Sequence, residues 1–235
     1  MRRGRAEVRV WDLPTRLFHW SFVLLIADAW ASQRFADTVG DNLQKWHRWN
    51  GYAILIAIVF RLIWGFAGSS TSRLSSFIRW PNAAINYGLL LLKGRSKPYL
   101  GHNPLGTWMI IGLVLAIIAQ VMLGLFMLDH NDFVAGPLQG RISDETAKWL
   151  GHLHVQFFNF ILLLIALHIG ANLFYGFIKK EPLIEAMVTG VKPAEDYADE
   201  QEAVIVPRAG QRALICLIVA ATAVLGGIRM VGGAL

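Results

Sequence analysis

The sequence predicts an all-α integral membrane protein whose chain forms five apolar helices. Of its 235 residues, 55% are hydrophobic and 16% are charged, whereas soluble domains carry about a quarter charged residues. The apolar residues are concentrated in five runs, each near the roughly 20 residues that a helix needs to cross the hydrocarbon core. Basic residues lie between these runs, as membrane orientation requires. The net charge of +6 therefore does not indicate a nucleic-acid partner.

The five predicted spans follow one another with polar segments between them. The first opens with Asp12, Leu13 and Pro14, where a carboxylate cap and a proline in the first turn are typical of a helix start. It is predicted to be a retained span and not a cleaved signal. The fifth is the weakest, because it is rich in Ala and Gly and contains Arg229. The predicted spans are residues 16–35, 47–67, 104–128, 149–178 and 212–230.

Two longer connections separate the spans. Residues 80–92 are apolar but short for a span, so we predict an interfacial helix there. Residues 181–211 contain the acidic run AEDYADEQE and are predicted to form an exposed loop. Lys and Arg are richer at the N-terminus and after spans two and four than in the other loops, which predicts a cytoplasmic N-terminus.

Histidines within the apolar spans are the candidate functional residues, because an ionisable side chain in a membrane helix is costly. His154 and His168 are 14 residues apart in the fourth span. At helical geometry they lie within about 40° of one face and about 21 Å apart along the axis. This spacing suits two ligands at two depths, each holding its own haem. His152 lies roughly 160° from His168 around the helix and is not expected to share that role.

The alternating direction of the spans gives each of these histidines a partner. His19, near the inner start of the first span, can meet His168. His47, at the outer start of the second span, can meet His154. Two neutral imidazoles satisfy the axial positions of a haem iron, so the sequence predicts one site in each leaflet.

Other residues leave alternatives open. His130, at the outer end of the third span, is an alternative to His47. His102, before the third span, fits a cap, a contact to a haem propionate or part of a quinone site. The chain contains a single cysteine, Cys216, so the C-x-x-C-H attachment of c-type haem is excluded and any haem is held without covalent bonds.

Four stretches of the chain, in this order, resemble the bacterial cytochrome b561 family, which includes the b-type cytochrome subunit of nickel–iron hydrogenases. They are VWDLPTRLFHW, RLIWGFAGSS, GHNPLGTWM and HVQFFNFILLLIALH. The resemblance covers residues 8–192 and implies a four-helix transmembrane bundle that holds two b haems. Carried over position by position, it implies bis-histidine ligation by His19, His47, His154 and His168. We therefore expect a core at 1–192, an acidic cytoplasmic loop at 193–211 and an additional C-terminal transmembrane helix at 212–235.

The resemblance also implies a function. A di-haem cytochrome of this kind transfers electrons across the bacterial inner membrane, between an extracytoplasmic redox partner and the quinone pool of a respiratory chain. The expected partner is a dehydrogenase, a hydrogenase or a c-type cytochrome. In small members the resemblance implies superoxide:quinone oxidoreductase activity, so it stays open whether the chain is itself an enzyme. A haem-free transporter or structural subunit is the remote alternative.

Several polar residues in or near the spans are candidate cofactor contacts. Arg61, well inside the second span, is expected to pair with a propionate of the inner haem, or alternatively to reach the inner interface. Arg34 and Arg48 are placed to serve the outer haem in the same way. A quinone site is expected at the inner end, near Asp12, Arg16 and His102. The outer end offers the alternative set Lys45, Arg48, His130 and His152.

Polar and small residues inside the third and fourth spans have structural interpretations too. Gln120, Gln156 and Asn159 are expected to form interhelical hydrogen bonds. Glycines in the spans fit either the close approach of a flat macrocycle or small-residue packing between helices. These glycines include Gly51, Gly112, Gly124 and Gly170.

Overall fold

The computed structural model describes residues 6–35, 42–129 and 134–233. Within these ranges the chain forms eight α-helices, two short 3-10 helices at Ser70–Ser72 and Gln139–Arg141, and two short strands. The strands are β1 (Glu7–Arg9) and β2 (Val191–Pro193). The helices are α1 (Leu13–Arg34), α2 (Asn42–Ala67), α3 (Leu74–Phe77), α4 (Pro81–Leu92), α5 (Pro104–Phe126), α6 (Asp144–Phe177), α7 (Leu183–Thr189) and α8 (Ala209–Met230).

Four of the described helices are long and apolar enough to cross a membrane: α2, α5, α6 and α8. All five predicted spans are helical, but α1 does not reach the apolarity of the other four. Its shortfall follows from polar residues within the helix, among them Arg16, His19 and Asp28. The chain is therefore a multi-pass helical membrane protein by length and composition, whereas the predicted crossing by α1 stays a prediction.

The start of α1 has the predicted cap. The Asp12 carboxylate accepts a hydrogen bond from the backbone N–H of Thr15 at 2.8 Å, which satisfies a donor that the first turn leaves without a helical partner. The second Asp12 oxygen accepts from the Ser69 N–H at 3.4 Å. The buried Thr15 hydroxyl lies 2.6 Å from that of Ser72. The cap thus also ties the start of α1 to the segment that follows α2.

The predicted exposed loop at residues 181–211 is only partly a loop. It contains α7 and β2, and β2 pairs antiparallel with β1, so that Val8 lies opposite Lys192. The remainder from 194 to 208 has no helix or strand, yet Tyr197, Ala203 and Val206 are buried. The prediction of an exposed loop rested on the acidic composition of the segment, which does not indicate that these three apolar side chains are buried.

The chain divides into two compact units. Unit I comprises Met1–Leu17, Ile63–Leu113 and Leu164–Leu214, and unit II comprises Phe18–Leu62, Val114–Leu163 and Ile215–Leu235. Unit II has an apolar core in which residues of α2, α5 and α8 pack together, namely Tyr52, Leu125, Val224 and Ile228. The additional C-terminal helix α8 therefore contributes to the core of unit II.

A buried lysine anchors the polar part of unit I. Lys192 is 3% exposed, and its ammonium donates hydrogen bonds to the carbonyls of Tyr99 at 2.9 Å and Leu100 at 2.8 Å. Burial lowers the pKa of Lys192 to about 8, and the Glu181 carboxylate opposes part of that shift. The same burial raises the pKa of Glu181, whereas Lys192 and Lys179 lower it. Lys192 thus connects β2 to the segment before α5.

Candidate functional site

Two of the four predicted ligands meet in unit II. His47, in the second turn of α2, and His154, in the first half of α6, are both partly buried. Their ring centroids are 6.2 Å apart and their planes are nearly perpendicular, at 89°. The structure therefore brings together the pair that the order and direction of the spans predicted for the outer leaflet.

Backbone carbonyls hold both imidazoles by the same ring nitrogen. His47 Nδ1 lies 3.1 Å from the carbonyl oxygen of Ala29 in α1, and the Ser32 hydroxyl is also within 3.1 Å of it. His154 Nδ1 lies 3.0 Å from the carbonyl oxygen of Gln120 in α5. A carbonyl only accepts, so each Nδ1 carries the proton and donates. Each neutral ring then keeps the Nε2 lone pair for a metal, which is how protein partners usually orient ligating histidines.

Gln120 holds His154 from two directions. In addition to the carbonyl contact, its side-chain Nε2 donates to the backbone carbonyl of His154 at 2.8 Å. This confirms the predicted interhelical hydrogen bond of Gln120. One turn further along α5, a Cβ added at Gly124 would lie 2.9 Å from His154 Cε1 and 3.3 Å from Nδ1. The ring therefore occupies space that only glycine leaves free.

The spacing of the two rings fits an iron held between them. An imidazole nitrogen binds a first-row transition metal at about 2 Å, and each nitrogen lies just over 1 Å from its ring centroid. Two imidazoles that held one metal ion between them would therefore have centroids about 6 Å apart. The observed separation is 6.2 Å. The macrocycle of a haem supplies the remaining four nitrogens, so two protein ligands suffice. The residues present here fit a bis-histidine haem.

Buried polar atoms in unit II offer contacts to a polar cofactor. Three of them are buried and have no hydrogen-bond partner among the described residues: Arg48 Nε, Asn50 Oδ1 and Gln120 Oε1. Asn50 uses its other side-chain atom to donate to the carbonyl of Leu25 at 2.8 Å. Buried polar groups without partners are rare in folded proteins, and an absent ion or ligand is a usual reason. Arg48 follows His47 directly and supplies a positive charge.

The second predicted pair is divided between the units. His19 belongs to unit II and its ring stands edge-on to Trp20, with centroids 5.0 Å apart. His168 belongs to unit I, and its Nε2 lies 3.3 Å from the side-chain nitrogen of Asn172, which donates to the His168 carbonyl at 2.8 Å. Each histidine is partly buried, and the pairing of the two stays a prediction.

The predicted cofactor contacts have different surroundings. Arg61 is partly buried in α2. Arg16 donates to the carbonyl of Val188 through Nη1, while its buried Nε has no hydrogen-bond partner among the described residues. The His102 ring packs against Trp11 with centroids 4.8 Å apart.

The remaining histidines stand apart from this geometry. His102 also lines a polar cleft of about 200 Å³ within unit I, together with Arg79, Asp199 and Glu200. His152 is exposed and lies 2.8 Å from Gln156, one turn along the same helix. His130, the alternative to His47, lies outside the described residues.

The four glycines that were candidates for close packing have different surroundings in the structure. A Cβ added at Gly51, Gly112 or Gly170 would meet nothing within 4 Å, whereas one at Gly124 would strike His154. The carbonyl acceptors of Ala29 and Gln120 were also missed. Every residue carries a carbonyl, so no residue type could have marked these two.

Comparison with known proteins gives one family and a set of distant relatives. Residues 10–190 match the family described as prokaryotic cytochrome b561. The chain is 24% identical over 233 residues to a probable Ni/Fe-hydrogenase B-type cytochrome subunit of Azotobacter vinelandii, covering 83% of this chain and 92% of that protein. It is 22% identical over 219 residues to a protein of the same description from Bradyrhizobium diazoefficiens, covering 82% and 89% respectively.

Proposed function

The chain belongs to the prokaryotic cytochrome b561 family, and on this basis we propose that it holds two b haems and transfers electrons across a bacterial inner membrane. Membership of this family makes the chain a b-type cytochrome of the membrane that functions in electron transfer. The haem irons supply reversible one-electron transfer when bound.

One observation carries the proposal. The rings of His47 and His154 stand 6.2 Å apart, and the Nδ1 of each donates to a carbonyl of a neighbouring helix. Both rings are thereby fixed before any cofactor binds, which lowers the ordering cost of binding. Arg48, with its buried Nε, is the proposed partner of a propionate at this site.

The second haem is proposed to bind between His19 and His168. Its support comes from the sequence: His154 and His168 share one face of α6, and the alternating direction of the spans puts His19 and His168 toward the same side of the membrane. Arg61 is the proposed contact to a propionate of this haem. We place the quinone site at the same end, with Arg16 and His102 as its polar residues, and the N-terminus in the cytoplasm.

We further propose an extracytoplasmic hydrogenase as the electron donor, with another dehydrogenase or a c-type cytochrome as alternatives. Two relatives, each matched over more than four fifths of this chain, are described as probable hydrogenase cytochrome subunits. Electrons would then enter at the His47–His154 site and leave at the quinone end.

Transmembrane electron transfer in sealed vesicles tests this function. Purified, haem-loaded protein is reconstituted with ferricyanide trapped inside, and a membrane-impermeant reductant is added outside. We expect the trapped ferricyanide to be reduced only in vesicles that contain the protein. His154→Ala should abolish this reduction, and His152→Ala should leave it intact. Rapid reduction of the haem without any loss of trapped ferricyanide would contradict the proposal.

A further inference from the structure

Helix α4 is attached to unit I by one face. Ala84 and Tyr87 are buried there, and the Tyr87 hydroxyl lies 3.1 Å from that of Tyr175. A Cβ at Gly88 would lie 3.8 Å from a methyl group of Leu105. Tyr175 is two residues from the end of α6, and Leu105 is the second residue of α5. Helix α4 therefore lies beside the ends of two helices that are apolar enough to cross a membrane.

A second face of α4 is apolar and exposed. Ile85, Leu89 and Leu92 are 61%, 51% and 86% exposed, and their spacing of four and three residues puts them on one side of the helix. Trp80, directly before the helix, is 85% exposed. This side lies more than 90° from the face that packs on unit I. No described part of the chain covers it.

A third side of α4 is polar, and its ends are basic. Asn82, Asn86 and Lys93 are exposed along one strip between the other two faces. Arg79 precedes the helix, and Arg95 follows it after Gly94, whose φ of +66° ends the helix in the left-handed conformation.

Arg79 shares its cleft with the carboxylates of Asp199 and Glu200, whereas Lys93 and Arg95 have no acidic residue in the same stretch of chain. There is no acidic residue between positions 68 and 103. Arg79, Lys93 and Arg95 are exposed and have no ion-pair partner among the described residues. Positive charge therefore flanks the apolar face at both ends of a helix of 12 residues.

We propose that α4 lies in the plane of the membrane surface and binds acidic phospholipids of the leaflet at that end of the spans. Ile85, Leu89 and Leu92 would rest among the acyl chains. Arg79, Lys93 and Arg95 would reach the phosphate headgroups, with Asn82 and Asn86 on the water side. An apolar face between basic ends is the pattern by which helices bind anionic membrane surfaces.

Lipid is favoured over a protein partner by the position of α4. Its inner face is fixed to the start of α5 and the end of α6, two helices that are long and apolar enough to cross a membrane. Each basic residue near an acidic membrane surface strengthens attachment about fivefold. An acidic membrane surface can therefore bury the exposed apolar side of α4 and neutralise its basic ends at the same time.

The depth of the helix can be measured with spin labels. The only native cysteine, Cys216, is first replaced by alanine, and a label is attached at Leu89→Cys or Asn86→Cys in vesicles containing phosphatidylglycerol. We expect the Leu89→Cys label to be relaxed more by oxygen than by a water-soluble nickel chelate, and the Asn86→Cys label to show the reverse. Both labels responding mainly to the nickel chelate would overturn the membrane position, as would burial of both against a second copy or a soluble protein.

Binding of acidic lipid is tested by charge removal. Arg79→Gln, Lys93→Gln and Arg95→Gln are combined in one variant, and Lys180→Gln, Arg208→Gln and Arg212→Gln in a matched control with the same loss of charge. Phosphatidylglycerol retained relative to phosphatidylcholine is counted by native mass spectrometry. We expect at least a tenfold loss in the first variant and less than a twofold change in the control. Equal losses in both variants, or none in either, would overturn the proposal.

Discussion

The two units of this chain differ in how far their buried polar atoms are hydrogen-bonded within the chain. In unit I, the Asp12 carboxylate accepts from the N–H groups of Thr15 and Ser69, and the Lys192 ammonium donates to two carbonyls, so these two buried groups are paired within the chain. In unit II, Arg48 Nε and Gln120 Oε1 are buried without hydrogen-bond partners among the described residues. Arg48 follows His47 in the sequence, and Gln120 contacts His154.

This difference distinguishes buried polar groups that stabilise the fold from those that are candidates to bind a ligand. A buried polar group whose partners are supplied by the chain stabilises the fold, whereas one left without partners costs free energy unless a ligand supplies them. Arg16 is the instructive case in unit I, because one of its nitrogens is satisfied by Val188 and its buried Nε is not. That atom supports its proposed role at the quinone end.

Removal of a proposed haem ligand should have the largest effect. His154→Ala leaves His47 with no second imidazole, and we expect the purified variant to keep one b haem per chain in place of two. His152→Ala is the matched control, since His152 is exposed and bonded to Gln156. The pyridine haemochrome assay on purified protein measures both. Full haem content in His154→Ala would show that His47 and His154 stabilise the fold and do not bind haem.

Gly124→Ala should have the next largest effect. The new Cβ would meet His154 Cε1 at 2.9 Å, so the ring must leave the position that faces His47. We expect occupancy of that haem site to fall below half. Gly112→Ala, on the same helix but with nothing within 4 Å, should keep its haem and gain about 1 kcal/mol of helix stability. Identical haem content in the two variants would refute the packing of His154 on Gly124.

Lys192 provides the corresponding test in unit I. Burial lowers the pKa of Lys192 in the folded chain to about 8, below its unfolded value of 10.5. Between these pH values the unfolded chain binds more protons, so the free energy of unfolding should rise with pH, by at most about 1.4 kcal/mol per pH unit. Thermal unfolding in detergent at pH 8 and pH 10 measures it.

Lys192→Met is the control for that measurement. It should be destabilised at pH 7, because the Tyr99 and Leu100 carbonyls lose their donor, at a cost of about 1–3 kcal/mol each. It should also lose the difference between pH 8 and pH 10. An equal pH dependence in the variant and the original chain would assign that dependence to other groups.

Arg48→Gln should have the smallest effect. Loss of a positive charge beside a haem propionate destabilises the reduced haem, so we expect the midpoint potential of one haem to fall by about 60 mV, or tenfold in a one-electron equilibrium. Arg34→Gln, at an exposed position, should shift it by less than half as much. A redox titration followed in the visible spectrum distinguishes the two. A larger shift for Arg34→Gln would move the propionate contact to that residue.

The sequence predicted those features that depend on periodicity and order. All five apolar runs are helical, Asp12 caps α1, and alternating spans bring His47 to His154, because helix phase and chain direction suffice to place them. The β1–β2 ribbon escaped prediction because three-residue strands carry no readable alternation. The contacts of Ala29, Gln120 and Gly124 to the histidines could not be predicted from the sequence, because they depend on the rotation of neighbouring helices about their axes.

Haem stoichiometry in the intact chain tests the central claim most directly. The protein is purified in mild detergent, its b haem is quantified against protein by amino-acid analysis, and low-temperature EPR records the iron. We predict about two b haems per chain, both low-spin with two imidazole ligands, that titrate at separate potentials. A preparation that is fully folded by circular dichroism and holds no b haem, or only one, would contradict the di-haem assignment.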